Sequence, residues 1–73
     1  PVSSLLNIDI VDVNDKEVRL AIFDMLGRRC LDRDVYLDGN TLALDVSMLE
    51  KGMYFCDMTI DERRVLRKKF VKE

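Results

Sequence analysis

The chain has no histidine and no tryptophan, one proline, three glycines and two cysteines. Without histidine it lacks the side chain that most often serves as general base or metal ligand near neutral pH. Two cysteines and no histidine fall short of the ligand set of a structural zinc site. Ser3, Ser4 and Ser47 have no partner base. Cys56 lies in an apolar alternating stretch, with nothing beside it to lower a thiol pKa. There is no glycine-rich phosphate loop. Asp12, Asn14, Asp15 and Glu17 bring acidic oxygens close together, but D-x-N-D-x-E lacks the glycine and the length of an EF-hand loop. The expectation is a chain that is not an enzyme and holds no cofactor or metal.

Long apolar runs are missing too. None approaches the ~18–20 residues that span a bilayer, and no stretch reads as a signal peptide. Direct membrane insertion is therefore not expected. Repeats and low-complexity segments are also absent.

What is present suits one small domain. The chain has 73 residues, 48% of them hydrophobic and 36% charged. A core of this size supplies only a few kcal/mol of net stability. The net charge of −2 hides an asymmetry. Residues 1–61 hold six Lys/Arg against twelve Asp/Glu, a net of −6; residues 62–73 hold six against two, a net of +4. Basic residues on an exposed edge strand discourage sheet-to-sheet aggregation, which is one account of the asymmetry. Nucleic acid is a poor candidate partner, because the body is acidic and the basic residues include one aromatic, Phe70, and no spaced series of them to stack on bases.

Hydrophobic alternation with period two recurs along the chain. Pro1 to Ser4 reads as a linker end, so the expectation is a piece of a longer protein with the domain at 5–73. Leu5–Val13 is the first strand, and Asn14-Asp15-Lys16 a turn. Glu17–Asp24 is the second strand, with Val18, Leu20 and Ile22 on one face. Asp24-Met25-Leu26-Gly27 fits a type I turn. The third strand starts at Arg28 and reaches Leu37, with Asp32 and Asp34 suggesting a twisted or bulged middle. Asp38-Gly39-Asn40 is the next turn.

Leu42–Met58 is the strongest signal. Leu42, Leu44 and Val46 form one strand face. Ser47 is placed to cap a single helical turn, Leu49 to plug the gap, and Gly52 to end the turn at positive φ. Tyr54, Cys56, Met58 and Ile60 then form the next strand face. Asp61-Glu62-Arg63 turns the chain into a final strand, Arg64–Lys72. There Val65 and Val71 fall on one parity and Leu66 and Phe70 on the other, as a bulge or an edge strand wetted on both sides would give. Both cysteines sit where a strand suits a small apolar residue, which favours buried thiols; whether they pair stays open.

Turns recur every 9–14 residues and no long helical period interrupts them. The reading is all-β: a small antiparallel, immunoglobulin-like β-sandwich of six to seven short strands, without the Cys…Trp…Cys core of antibody domains.

Four blocks in order also carry a resemblance. They are Pro1-Val2-Ser3-Ser4-x-Leu6-x-Ile8; Ile22-Phe23-Asp24-Met25-Leu26-Gly27-Arg28; Leu44-Asp45-Val46-Ser47-x-Leu49-x-x-Gly52-x-Tyr54; and Lys69-Phe70-Val71-Lys72. Together they resemble the C-terminal sorting domains of the type IX (Por) secretion system of Bacteroidota. Cys30, Cys56 and Arg29 depart from the family pattern, at the third and fifth strands.

The resemblance implies a sorting signal. Its motif residues would be Asp24, Gly27, Arg28, Leu44, Asp45, Leu49, Gly52 and Tyr54. It implies a cargo that reaches the periplasm, crosses the outer membrane and ends at the cell surface or in the medium. The implied partners are an outer-membrane shuttle and a sortase-like peptidase that removes the domain. Gly27, Gly52 and Tyr54 are also explained by folding alone. The +4 terminal strand, with Lys68, Lys69, Phe70, Val71 and Lys72, is expected to contact the machinery, and its edge leaves room for weak pairing of two copies. The competing reading is a structural or adhesive module without a sorting role.

Overall fold

The computed structural model describes residues 4–9, 16–37, 41–60 and 62–73, without the side chains of Lys16 and Val65. They form six strands and, among the described residues, no helix: β1 (Leu5–Asp9), β2 (Lys16–Asp24), β3 (Arg29–Leu37), β4 (Thr41–Asp45), β5 (Gly52–Ile60) and β6 (Arg63–Lys72). The expected continuation of the first strand through Ile10–Val13 lies outside the described residues. So do the Asn14-Asp15 and Asp38-Gly39-Asn40 turns, Asp61, the entry residues Pro1–Ser3 and most of the Asp12–Glu17 acidic stretch.

All pairing is antiparallel. β1 and β4 make a two-stranded sheet; the other four strands make a sheet of order β3-β2-β5-β6. Alternation in the sequence becomes alternation in burial. In β1 and β4, Leu6, Ile8, Leu42 and Leu44 point inward. In the larger sheet, Val18, Leu20, Ile22, Leu31, Leu37, Tyr54, Cys56, Met58 and Phe70 do so. All belong to one hydrophobic cluster, so the two sheets share a single core. Fully burying one such aliphatic side chain contributes about 1.5–3 kcal/mol.

Two bulges settle where the strand patterns were ambiguous. Pairing shifts between Met58 and Thr59, where β6 passes from Leu66 to Arg64. The extra residue, Val65, reconciles the two parities, and leaves Phe70 inward and Val71 43% exposed. The second bulge corrects the reading of β3. Its middle is regular, and the shift falls at its start, where Ile22 pairs with Leu31 and Phe23 with Arg29. Cys30 is the extra residue and is exposed, not buried, its Sγ 3.5 Å from the Arg28 carbonyl oxygen. Cys56 is buried as expected, and both thiols are free. Asp32 and Asp34 need no bulge: they lie on the outer face, where the Arg19 guanidinium meets them at 3.0 and 3.7 Å.

The outer face of the larger sheet carries two stacked cations. Phe23 and Phe55 are cross-strand partners. The Arg29 guanidinium lies over Phe23 and that of Arg67 over Phe55, each 5.5 Å from the ring centre. Arg67 also grips Asp57 through two hydrogen bonds of 2.7 and 2.8 Å. That grip holds the Asp57 carboxyl below its ordinary pKa.

Candidate functional site

The β2–β3 connection is organised by Asp24. Its backbone closes the hairpin: Asp24 N–H donates to Arg28 O and Gly27 N–H to Asp24 O, both at 3.0 Å. One carboxylate oxygen accepts the N–H groups of Leu26 and Arg28 at 2.9 Å; the other accepts Arg28 Nε–H at 2.8 Å. The Arg28 backbone N–H is the main reason the Asp24 carboxyl titrates below its ordinary value. Gly27 has φ +82°, and a Cβ there would meet nothing within 4 Å. The requirement for glycine is therefore conformational, as in three-residue hairpin loops whose last residue is left-handed. Asp24, Gly27 and Arg28 form one self-contained loop.

The β4–β5 corner is a second such unit. Leu49 N–H donates to Val46 O at 3.0 Å, giving a tight turn in place of the expected helical one. The capping oxygen is not that of Ser47. Asp45 accepts the Ser47 N–H at 2.9 Å, which lowers the Asp45 pKa. A carboxylate two residues earlier already has the geometry of an Asx turn, so the serine hydroxyl is not needed. Leu49 is 9% exposed and joins the core, as its role of plug requires. Gly52 has φ +153°, a backbone state that side chains disfavour. Tyr54 ties the corner down, donating its hydroxyl to Glu50 O at 2.7 Å and stacking on Phe70 at 5.6 Å between ring centres. Burial raises its phenol pKa.

These two units meet at one end of the sandwich. Asp24, Arg28, Leu49, Gly52 and Tyr54 line one open hollow of about 600 Å³. Gly27 faces a neighbouring hollow of about 330 Å³ with Phe23, Phe55 and Arg67. Leu44 is buried in the core, and Asp45 acts on the corner. What the sequence reading missed is the apolar rim. Met25, Leu26, Met48 and Met53 line the 600 Å³ hollow while remaining 55%, 79%, 55% and 38% exposed. A signal was there: Met25 and Leu26 are the two central residues of a turn, where side chains point outward.

The residues of the terminal strand do not share a face. Phe70 is in the core, and Lys72 is 8% exposed, its ammonium donating to Glu73 O at 3.0 Å. Lys68 is exposed on the same parity and donates to Asn7 O of the opposite sheet at 3.4 Å. Lys69 and Val71 are exposed on the other parity. Among the described residues, β6 is an edge strand, paired only with β5. Among the described residues, no group of three or more His, Cys, Asp or Glu is placed to hold a metal ion.

Comparison with family models gives one described as the secretion system C-terminal sorting domain, which matches residues 1–73, the whole chain. Comparisons with curated proteins and with solved structures gave no match. The chain belongs to the type IX secretion C-terminal sorting domain family.

Proposed function

From that membership, we propose that residues 5–73 form the C-terminal address of an exported cargo, with residues 1–4 the end of a linker. The domain is read as a folded unit in the periplasm by an outer-membrane shuttle of the type IX machinery. The cargo then passes to the cell surface or the medium, and a sortase-like peptidase cuts N-terminal to the domain. The host would be a member of the Bacteroidota. The role is binding rather than catalysis.

The observation that carries this reading is a family match over residues 1–73. It is supported by the geometry of the motif end, where two sequence-distant blocks meet around one hollow with an apolar rim. Folding alone accounts for Gly27, Leu49, Gly52 and Tyr54. It does not require Met25, Leu26, Met48 and Met53 to stand exposed together, and clustered exposed apolar side chains mark interaction sites. Methionine suits such a role because its unbranched thioether adapts to a partner's shape.

The test is a fusion of residues 1–73 to the C-terminus of a periplasmic reporter, expressed with and without a functional type IX system. Reporter at the surface or in the medium only with the system is the expected result. Reporter held in the periplasm of both strains, with the domain folded, would favour the structural or adhesive module instead.

A further inference from the structure

The two sheets each leave an unpaired edge on the same side of the sandwich. Among the described residues, β1 pairs only with β4, and β6 only with β5. Lys68 bridges the two edges through Asn7 O, beside a hollow of about 440 Å³ that Leu5, Lys69 and Val71 also line. Leu5 is 55% and Val71 43% exposed, so the seam offers apolar surface as well as backbone groups.

Its charge is of one sign. β6 carries no acidic residue between Arg63 and Lys72. Among the described residues, Arg67 is matched by Asp57, whereas Lys68 and Lys69 form no ion pair. The opposite edge, β3, differs: Arg29 and Asp32 pair with each other, and Asp32 and Asp34 with Arg19. Among the described residues, β3 leaves Arg33 alone without an ion pair, its guanidinium on the Asp32 carbonyl oxygen, whereas β6 presents two adjacent unpaired lysines.

We propose that the free edge of β6 receives an added strand from an extended acidic segment of a protein partner. Its backbone continues the β3-β2-β5-β6 ladder, its carboxylates meet Lys68 and Lys69, and its apolar side chains cover Leu5 and Val71. The same lysines select against other occupants. A second copy offering its own β6 brings like charges together, and a neutral apolar strand would have to desolvate the ammonium groups without compensation. Main-chain pairing supplies affinity, and the flanking charges supply specificity. The proposal takes its biological setting from the sorting role, but its test needs no export, so the two can fail separately.

The experiment is a titration of the isotopically labelled 73-residue chain, followed by amide NMR. The probe is a blocked peptide of about eight residues, a typical strand length, in which Glu-Glu and Val-Val pairs alternate, so that each face of the added strand carries both a carboxylate for one lysine and an apolar side chain. Saturable shifts confined to the amides of β6 and β1 are expected. Affinity should fall severalfold from about 50 to 300 mM salt. In the double variant Lys68→Glu, Lys69→Glu it should fall roughly tenfold or more, two exposed charge contacts being lost and reversed. Both lysines are exposed, and an unchanged spectrum outside β6 confirms that the variant folds; Lys69→Gln should show a smaller loss in the same direction. N-methylation of every residue of the probe, which removes the N–H groups of both its edges, should abolish binding. Binding that survives N-methylation would overturn strand addition in favour of simple charge attraction. Shifts centred on Met25 and Met48, or none that saturate by roughly millimolar peptide, would overturn the proposal too. So would concentration-dependent dimerisation through β6 without peptide.

Discussion

Replacing Leu49 by alanine tests whether the β4–β5 corner is held by its plug. The change removes three carbon atoms from a side chain that belongs to the core. At about 0.8 kcal/mol per buried CH₂ group, the transfer loss is roughly 2.4 kcal/mol. A cavity penalty normally adds to this, but Leu49 also borders the open 600 Å³ hollow. Water fills the vacated space, so the total should stay at about 2–3 kcal/mol, low in the range for Leu→Ala. Leu20→Ala is the reference. Leu20 is 0% exposed between the sheets, so its cavity is sealed and its loss should be about 3–5 kcal/mol. A domain of 73 residues has about 5 kcal/mol of stability in all, so either loss is a large share of it. Urea denaturation followed by far-UV circular dichroism gives both numbers, with unchanged slopes expected. The corresponding fall in Tm for Leu49→Ala is about 10–20 °C. A loss below about 1 kcal/mol, or one equal to that of Leu20→Ala, would refute the reasoning.

Gly27→Ala should destabilise by about 1 kcal/mol and Gly27→Asn by clearly less, because only backbone conformation is at issue; equal losses in the same urea experiment would point to a steric cause. At neutral pH a maleimide should label Cys30 alone, since burial pushes the Cys56 thiol up to about 11; mass spectrometry should find the second label only in denaturant. Asp24, Asp45 and Asp57 all titrate below their ordinary values in the folded chain, so the stability each contributes is fully present above the unfolded pKa and is lost as pH falls through the folded one. Thermal melts should therefore be flat from about pH 5 to 7 and drop below about pH 4. Asp57→Asn should weaken that drop; an unchanged profile would remove the Arg67 grip from the account.

The strands that alternate cleanly were legible because period two maps directly onto burial. Val18, Leu20 and Ile22, and Tyr54, Cys56 and Met58, face inward as read. The β2–β3 turn was legible because Asp and Gly stand at the positions its backbone demands. Cys30 was misplaced because one extra residue in an antiparallel pair breaks parity, and nothing local distinguishes a bulge residue from a strand residue. The acidic pair in β3 misled for a related reason: its partner, Arg19, is on the adjacent strand, and pairing across strands is not visible in one-dimensional order. The Ser47 cap failed by competition, since Asp45 reaches the same N–H. The motif hollow and the β1–β6 seam depend on which strands become neighbours. Sequence supplied their residues but not their meeting.

The central claim is that the folded sandwich, and not a linear tail, is the sorting signal. The direct measurement is the surface fraction of two reporter fusions in a strain with an intact type IX system. One carries the wild-type chain, the other Leu20→Ala with Leu49→Ala, whose combined loss of roughly 5–8 kcal/mol should unfold most of the domain. The variant keeps every motif residue but Leu49, and all of β6. The account predicts surface reporter for the first and full-length reporter trapped in the periplasm for the second. Equal export of both, with the variant shown to be unfolded, would contradict it.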